Sequence, residues 1–152
     1  MSDQKIQIGL KNYFEIEIDG IDVGSFTSCE GLEAETYIYE IEEGGDNTHT
    51  HKFLGRTRFP NIVLEKGITE NNDLFKWFNE SCRSDDKVER KSGSIILCTL
   101  GDKQEKKEVK RWNFFNALPC RWVGPSLQSG SSGMAVERIE IACEFLEVDE
   151  KK

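Results

Sequence analysis

"MAVERIEIACEFLEV", residues 134–148, is the stretch whose reading decides the fold. Ala135, Glu137, Ile139, Ile141 and Cys143 fall on one side of an extended chain; Val136, Arg138, Glu140 and Ala142 fall on the other. A period of two residues belongs to a β-strand with one face on a core. The same beat appears in "NYFEIEIDG", residues 12–20, where Phe14, Ile16 and Ile18 alternate with Glu15, Glu17 and Asp19. Asp19-Gly20 signals a turn, and "IDVGSF" is read as the return strand.

Between these ends the pattern repeats. "ETYIYEIEE", residues 35–43, puts Tyr37, Tyr39 and Ile41 on one side but keeps apolar character on both. That suits a strand whose second face meets a neighbour or a helix. "FPNIVLEKG" is a short strand that Gly67 ends, and "SGSIILCTL" is a β-rich run. In "EKKEVKRWNFFNA", Val109, Arg111, Asn113 and Phe115 alternate with Lys110, Trp112 and Phe114. "LPCRWVGPSL" reads as a separate short strand, broken by Pro119 and by Gly124-Pro125. "LQSGSSG" has the composition of a flexible loop.

One segment has helical spacing. In "ITENNDLFKWFNESCRSDD", Leu74, Phe75, Phe78 and Cys82 form a stripe that Trp77 widens. Thr69 or Asn71 can cap its start, while Asp73 and Arg83 suit the first and last turns. The expectation is a mainly β domain spanning residues 1–152, with an N-terminal arm at 1–11 and a frayed tail at 149–152. Two packed antiparallel sheets form a sandwich or barrel, with one helix at about 71–83 and a long extended loop at about 40–58.

Composition narrows the function. Twenty basic and 28 acidic residues leave a net charge of −8, which disfavours a nucleic-acid backbone or an anionic membrane as a specific partner. No apolar run approaches the ~18 residues of a membrane span. The first residues lack a secretory pattern, so synthesis in the bacterial cytoplasm without a signal peptide is expected. The five cysteines, Cys29, Cys82, Cys98, Cys120 and Cys143, contain no C-x-x-C pair and read as free thiols.

The sequence nominates no catalytic, cofactor or metal site. His49 and His51 would point the same way on an extended segment, but no Cys or carboxylate pair completes a metal set nearby. "SGSSG" is not a nucleophile elbow, and neither phosphate-binding glycine motif occurs. The acidic pairs, such as Glu42-Glu43, read as solvated surface rather than an acid and base in a dry cleft.

The C-terminal third carries a more specific signal. Trp112, Phe114, Asn116, Ala117, Pro119, Trp122, Gly124, Pro125 and Leu127 match a "W-x-F-x-N-A-x-P-x-x-W-x-G-P-x-L" run. Val136, Ile139, Ile141 and Glu144 follow it with small shifts. "NYFEIEIDG", "FTSCEGLEAE" and "YEIEEGGDN" supply three more matches in order, so the likeness runs from about Asn12 to about Glu147. The chain resembles the tail-tube proteins of contractile phages and of phage-derived contractile injection systems. The resemblance implies a non-enzymatic wall subunit, stacked as hexameric rings into a hollow tube. It also implies a surrounding sheath, baseplate and spike or adaptor partners, and effector or genome cargo in the lumen. The lean is toward an injection system rather than a phage tail; type VI-like secretion stays open.

On that reading the segment around 40–58 is a docking arm for another copy. Gly44-Gly45 lets it swing away, and Phe53, Leu54 and Phe59 anchor it. Glu42, Glu43, Asn47 and Arg58 complete the expected interface. A basic patch, Lys106, Lys107, Lys110 and Arg111, is expected to face the acidic arm across a subunit contact. The alternative reading is a monomeric β-barrel that binds a ligand, or a small enzyme.

Overall fold

The computed structural model describes residues 12–21, 26–45, 48–83, 88–130, 133 and 135–149. Nine strands and one helix are described, in the order β1 (Asn12–Ile18), β2 (Ser28–Glu30), β3 (Glu35–Ile41), β4 (His51–Arg58), β5 (Ile62–Gly67), α1 (Asp73–Arg83), β6 (Lys91–Leu100), β7 (Lys106–Val123), β8 (Val136–Ala142) and β9 (Phe145–Val148). All pairings are antiparallel. Strands β1-β6-β7-β9 form one layer and β7-β8-β5-β2 the other, with β7 belonging to both; β3 and β4 pair only with each other.

Strand β7 is the hinge of the architecture. It runs 18 residues straight through Pro119, where the sequence suggests two strands. Its first part pairs with β6 as far as Ala117 and with β9 from Trp112 to Phe115; from Leu118 onward it pairs with β8. Two features let one strand change sheets. Asn116 takes a φ of 55°, a left-handed conformation, and a register shift lies between Pro119 and Arg121. A proline without an N–H is tolerated where pairing is already irregular. Asn116 is held in that conformation from three directions. Ser92 Oγ accepts its N–H at 3.3 Å, Arg90 donates to its carbonyl at 3.3 Å, and its Nδ2 donates to Glu144 Oε2 at 3.1 Å.

The core lies between the two layers and is built from the alternations in the sequence. Ile16 and Ile18 (β1), Ile95 (β6), Phe114 (β7), Ile62 and Leu64 (β5) and Ile139 and Ile141 (β8) are all buried. The run 134–148 alternates as expected only to Ala142; it then breaks at Cys143–Glu144, and Phe145–Val148 crosses to the other layer. Helix α1 closes the core with Leu74 and Trp77, while Phe75 and Cys82 are exposed and Phe78 half-buried. The inward stripe therefore centres on Trp77, not on Phe75. Asn71 Oδ1 accepts the Asp73 N–H at 2.8 Å at the start of the helix. Of the expected return strand "IDVGSF", residues 22–25 lie outside the described residues; Ile21 makes a single bridge to Ile18 and Phe26 is buried.

A buried ion pair joins three strands. Lys66 and Glu137 stand opposite each other on β5 and β8. Lys66 Nζ lies 3.2 Å from Glu137 Oε1, with side chains 3% and 10% exposed. Trp122 Nε1 on β7 donates to the other carboxylate oxygen at 3.2 Å. The Trp122 ring meets Phe75 of α1 edge-on at 4.9 Å. Gly124 lies so close to that ring that an added Cβ would stand 2.9 Å from it. The family-like residues Trp122 and Gly124 thus have an internal role in joining sheet to helix.

Candidate functional site

The segment expected as a loop at about 40–58 is half strand. β3 and β4 form a hairpin, with Ile41 opposite His51, Glu40 opposite Lys52, Tyr39 opposite Phe53 and Ile38 opposite Leu54. Glu42 to Thr50 is its tip. No other described strand or helix packs to any extent on β3 or β4. One face carries Tyr37, Tyr39, Ile41 and Phe53; the other carries Ile38 and Leu54. Their exposures are 62%, 54%, 51%, 51%, 44% and 76% in that order. The two tyrosine rings meet edge-on at 4.7 Å, and Gly55 leaves the room for Tyr39, since a Cβ there would stand 2.4 Å from its ring.

The arm's charges are arranged by position. At its base, Arg58 pairs with Glu35 at 2.9 Å. At its tip, Glu42, Glu43, Gly44, Gly45, Thr48, His49 and Thr50 line a shallow polar hollow. His51 Nε2 lies 3.5 Å from Glu43 Oε2, and the His49 and His51 rings meet edge-on at 5.2 Å. Among the described residues no three His, Cys, Asp or Glu side chains form a metal-binding group. Gly45 has a φ of 115°, which favours glycine there. Phe59 is not part of the exposed face. It is half-buried against Phe145 of β9 at 5.3 Å, and so tethers the arm's base. Asn47 lies outside the described residues.

The basic patch is divided by the alternation of β7. Lys106 pairs with Glu15 of β1, whose hydrogen bond raises the lysine pKa. Arg111 pairs with Glu108 at 2.9 Å and Glu17 at 3.5 Å; the Glu108 bond is the main reason its pKa is raised. These groups share the outward face of the β1-β6-β7-β9 layer, where Ser94 also donates to Asn113 at 2.6 Å. Lys107 and Lys110 are exposed on the opposite face, and Lys110 Nζ stands 5.7 Å from the centre of the Trp112 ring. Within the run 103–111 itself the acids are Glu105 and Glu108; the fold adds Glu15 and Glu17 from β1, about 90 residues away along the chain.

The remaining family-like residues differ in burial. Phe114 and Pro119 are buried, Trp112 and Pro125 are half-buried, and Leu127 is 82% exposed. Burial pushes the Cys29 thiol up to about 11, with Glu30 adding to the effect, and also raises Cys98, Cys120 and Cys143. These are the opposite of the shift that activates a thiol. Two features were outside the sequence reading of the arm: the exposed apolar residues of β3, and the position of β1 and β9 as lateral edges among the described strands. The apolar character of both sides of "ETYIYEI" was the available signal for the first; nothing local signals the second.

The family model for T4-like virus tail tube protein gp19 matches residues 10–147. Among solved structures, a chain of an extracellular contractile injection system, the PVC sheath–tube complex in the extended state, is 25% identical with a TM-score of 0.77, covering 96% of this chain and 93% of that one. A chain of the anti-feeding prophage tube-terminating cap is 26% identical with a TM-score of 0.74, covering 91% and 88%. Hcp1 from Flavobacterium johnsoniae shares the fold, with 16% identity, a TM-score of 0.56 and coverage of 90% and 94%. No curated protein sequence matches.

Proposed function

From the premise that this chain belongs to the T4-like virus tail tube protein gp19 family, we propose that it forms rings whose sheets join edge to edge into a hollow tube. Its role is that of a structural inner-tube subunit of a phage tail-like particle. The observation that carries the assembly reading is the β3–β4 arm. It is a two-stranded hairpin, apolar and exposed on both faces, and no other described strand or helix makes a substantial contact with it. An isolated two-stranded hairpin is marginal in water, so the arm needs a second copy to hold it.

The sheet edges support the ring. β1 and β9 are the lateral edges of the β1-β6-β7-β9 layer. Four strands, each antiparallel to the next, leave β1 and β9 running in opposite directions. The β9 edge of one copy can therefore continue antiparallel onto the β1 edge of the next. Such heterologous joins close into rings and remove exposed edges. Six copies per ring, a sheath outside, baseplate and spike or adaptor partners at the ends and cargo in the lumen complete the proposal. The likeness to injection-system chains at 25% and 26% identity supports an injection particle over a phage tail. The absence of catalysis belongs to the same proposal and suits a family of structural tube proteins.

Negative-stain microscopy with sizing of the purified protein tests the reading. Six-fold rings or tubes are the expected result. A species of about 17 kDa that never associates at any concentration would refute it.

A further inference from the structure

The arm's tip carries the exposed acids Glu40, Glu42 and Glu43. What could receive them on a second copy depends on which cations its own chain leaves unengaged. Arg58, Lys66, Arg90, Lys91, Lys106, Arg111 and Arg138 are each held by an acid of their own chain. On α1, Lys76 and Arg83 are interleaved with Asp73 and Glu80. Arg121 stands alone, and Lys52 and Arg56 are on the arm itself. Among the described residues this leaves Lys107 and Lys110 as neighbouring exposed cations on one face of a sheet, with exposed Lys103 in the turn that precedes β7.

That face is where β6 and β7 run on beyond the packed core. Lys110 lies opposite Leu97, and Leu97 opposite Phe14; Lys107 lies opposite Thr99. Next along β7, Trp112 pairs with Val148 of β9, which is 45% exposed. Phe14, Leu97 and Trp112 are only half-buried. The result is an overhanging shelf with an apolar floor and two cations at its rim. The arm's tip has the complementary make-up: Glu40, Glu42 and Glu43 beside exposed Ile41, Phe53 and Leu54.

We propose that the β3–β4 arm of one copy lays its acidic, apolar tip on the Lys107–Lys110–Trp112–Val148 shelf of a second copy. This rests on the tube reading and names the surface that receives the arm. Arm and shelf are different patches of the same chain, so the contact is heterologous and propagates instead of closing as a dimer. The acids and lysines set the register, and the apolar groups supply the burial.

Charge exchange tests it. K107E/K110E and E42K/E43K, each alone, should raise the concentration needed for assembly about ten-fold, the effect of juxtaposing like charges at contact. Combining the four changes should restore assembly to within about two-fold of the parent. The control K76E/R83E makes the same charge change as K107E/K110E on α1 and should leave assembly unchanged. Circular dichroism checks that every variant is folded. Loss of rings or of ring stacking in either single set, with rescue in the combination, supports the contact. Parent tubes that survive both single sets, or a combination no better than either, would overturn the contact while leaving the tube reading intact. A parent that never assembles overturns both.

Discussion

Replacing Lys66 with methionine should be among the most damaging conservative changes available. Methionine keeps most of the stem's packing but removes the charge, which lies 3.2 Å from Glu137 with both side chains almost wholly buried. Glu137 would then keep only the Trp122 indole as a partner. Removing one member of a buried pair strands the other, at about 3–5 kcal/mol. E137Q should cost about 3 kcal/mol or more, because Lys66 and Trp122 meet different carboxylate oxygens, so the amide NH2 must face one of these donors while the ammonium lies without a carboxylate. The double variant K66M/E137Q keeps the indole hydrogen bond and buries no charge. It should cost only about 1–2 kcal/mol, the penalty for an unpaired amide N–H group. The assay is urea unfolding of dilute, unassembled protein, followed by tryptophan fluorescence. With an m-value of ~2 kcal/mol/M, K66M should lower the midpoint by about 2 M. A K66M cost below ~1 kcal/mol, or single costs that simply add in the double, would show that the pair is not the buried, mutually dependent lock described above.

Other perturbations separate assembly from folding. F53A/L54A removes apolar groups that are 51% and 76% exposed, so its unfolding midpoint should stay within about 0.5 kcal/mol of the parent while sedimentation shows tube formation lost. Gly93→Ala should do the reverse and destabilise the monomer by about 3 kcal/mol or more. Its Cβ would stand 2.2 Å from the Glu17 carbonyl oxygen and 2.6 Å from the Phe114 ring, and thermal unfolding reads the effect. Alkylation at pH 8, mapped by mass spectrometry, should modify exposed Cys82 first. Cys29 should lag far behind: with its thiol raised to about 11, only about one molecule in a thousand is thiolate at that pH. Its reactivity should rise as pH increases toward 11, and equal labelling of the two at pH 8 would contradict the burial assigned to Cys29.

The arm explains why a tube subunit tolerates so exposed a structure. Tyr37, Tyr39, Ile41, Phe53 and Leu54 would be an aggregation hazard on a monomer's free hairpin. In the proposed contact a second copy covers them. The surrounding charge pattern limits where the arm can land. Most cations of the sheet are already engaged by acids of the same chain, so only a few surfaces remain attractive to an acidic tip.

The alternating runs placed most of the strands without any tertiary information, because a strand with one buried face must change polarity every second residue. "NYFEIEI" and "VERIEI" follow that rule, and their isoleucines are buried; "SIILC" is instead a continuous apolar run, with Ile95, Ile96 and Cys98 all buried. The helix was legible from its spacing and caps. Pro119 misled, since a proline argues for a break wherever its backbone partners are unknown. Only the fold shows that β7 changes sheets at that point. The arm was half legible: its reach and apolar anchors are local properties, whereas its second half became a strand by pairing with β3, a non-local event.

Residue order alone thus settled the β-rich class, the single helix, the family likeness and the acidic balance, all of which depend on neighbours within a few positions. It could not decide which lysines stay free. Lys106 is paired by Glu15, and Arg111 by Glu17 as well as by nearby Glu108; folding brings Glu15 and Glu17 in from the other end of the chain, while a register shift between Leu97 and Cys98 puts Lys107 and Lys110 together on the opposite face. Ion pairing depends on distance in space and on which side of a sheet a residue points, and both are fixed only when the strands have found their partners.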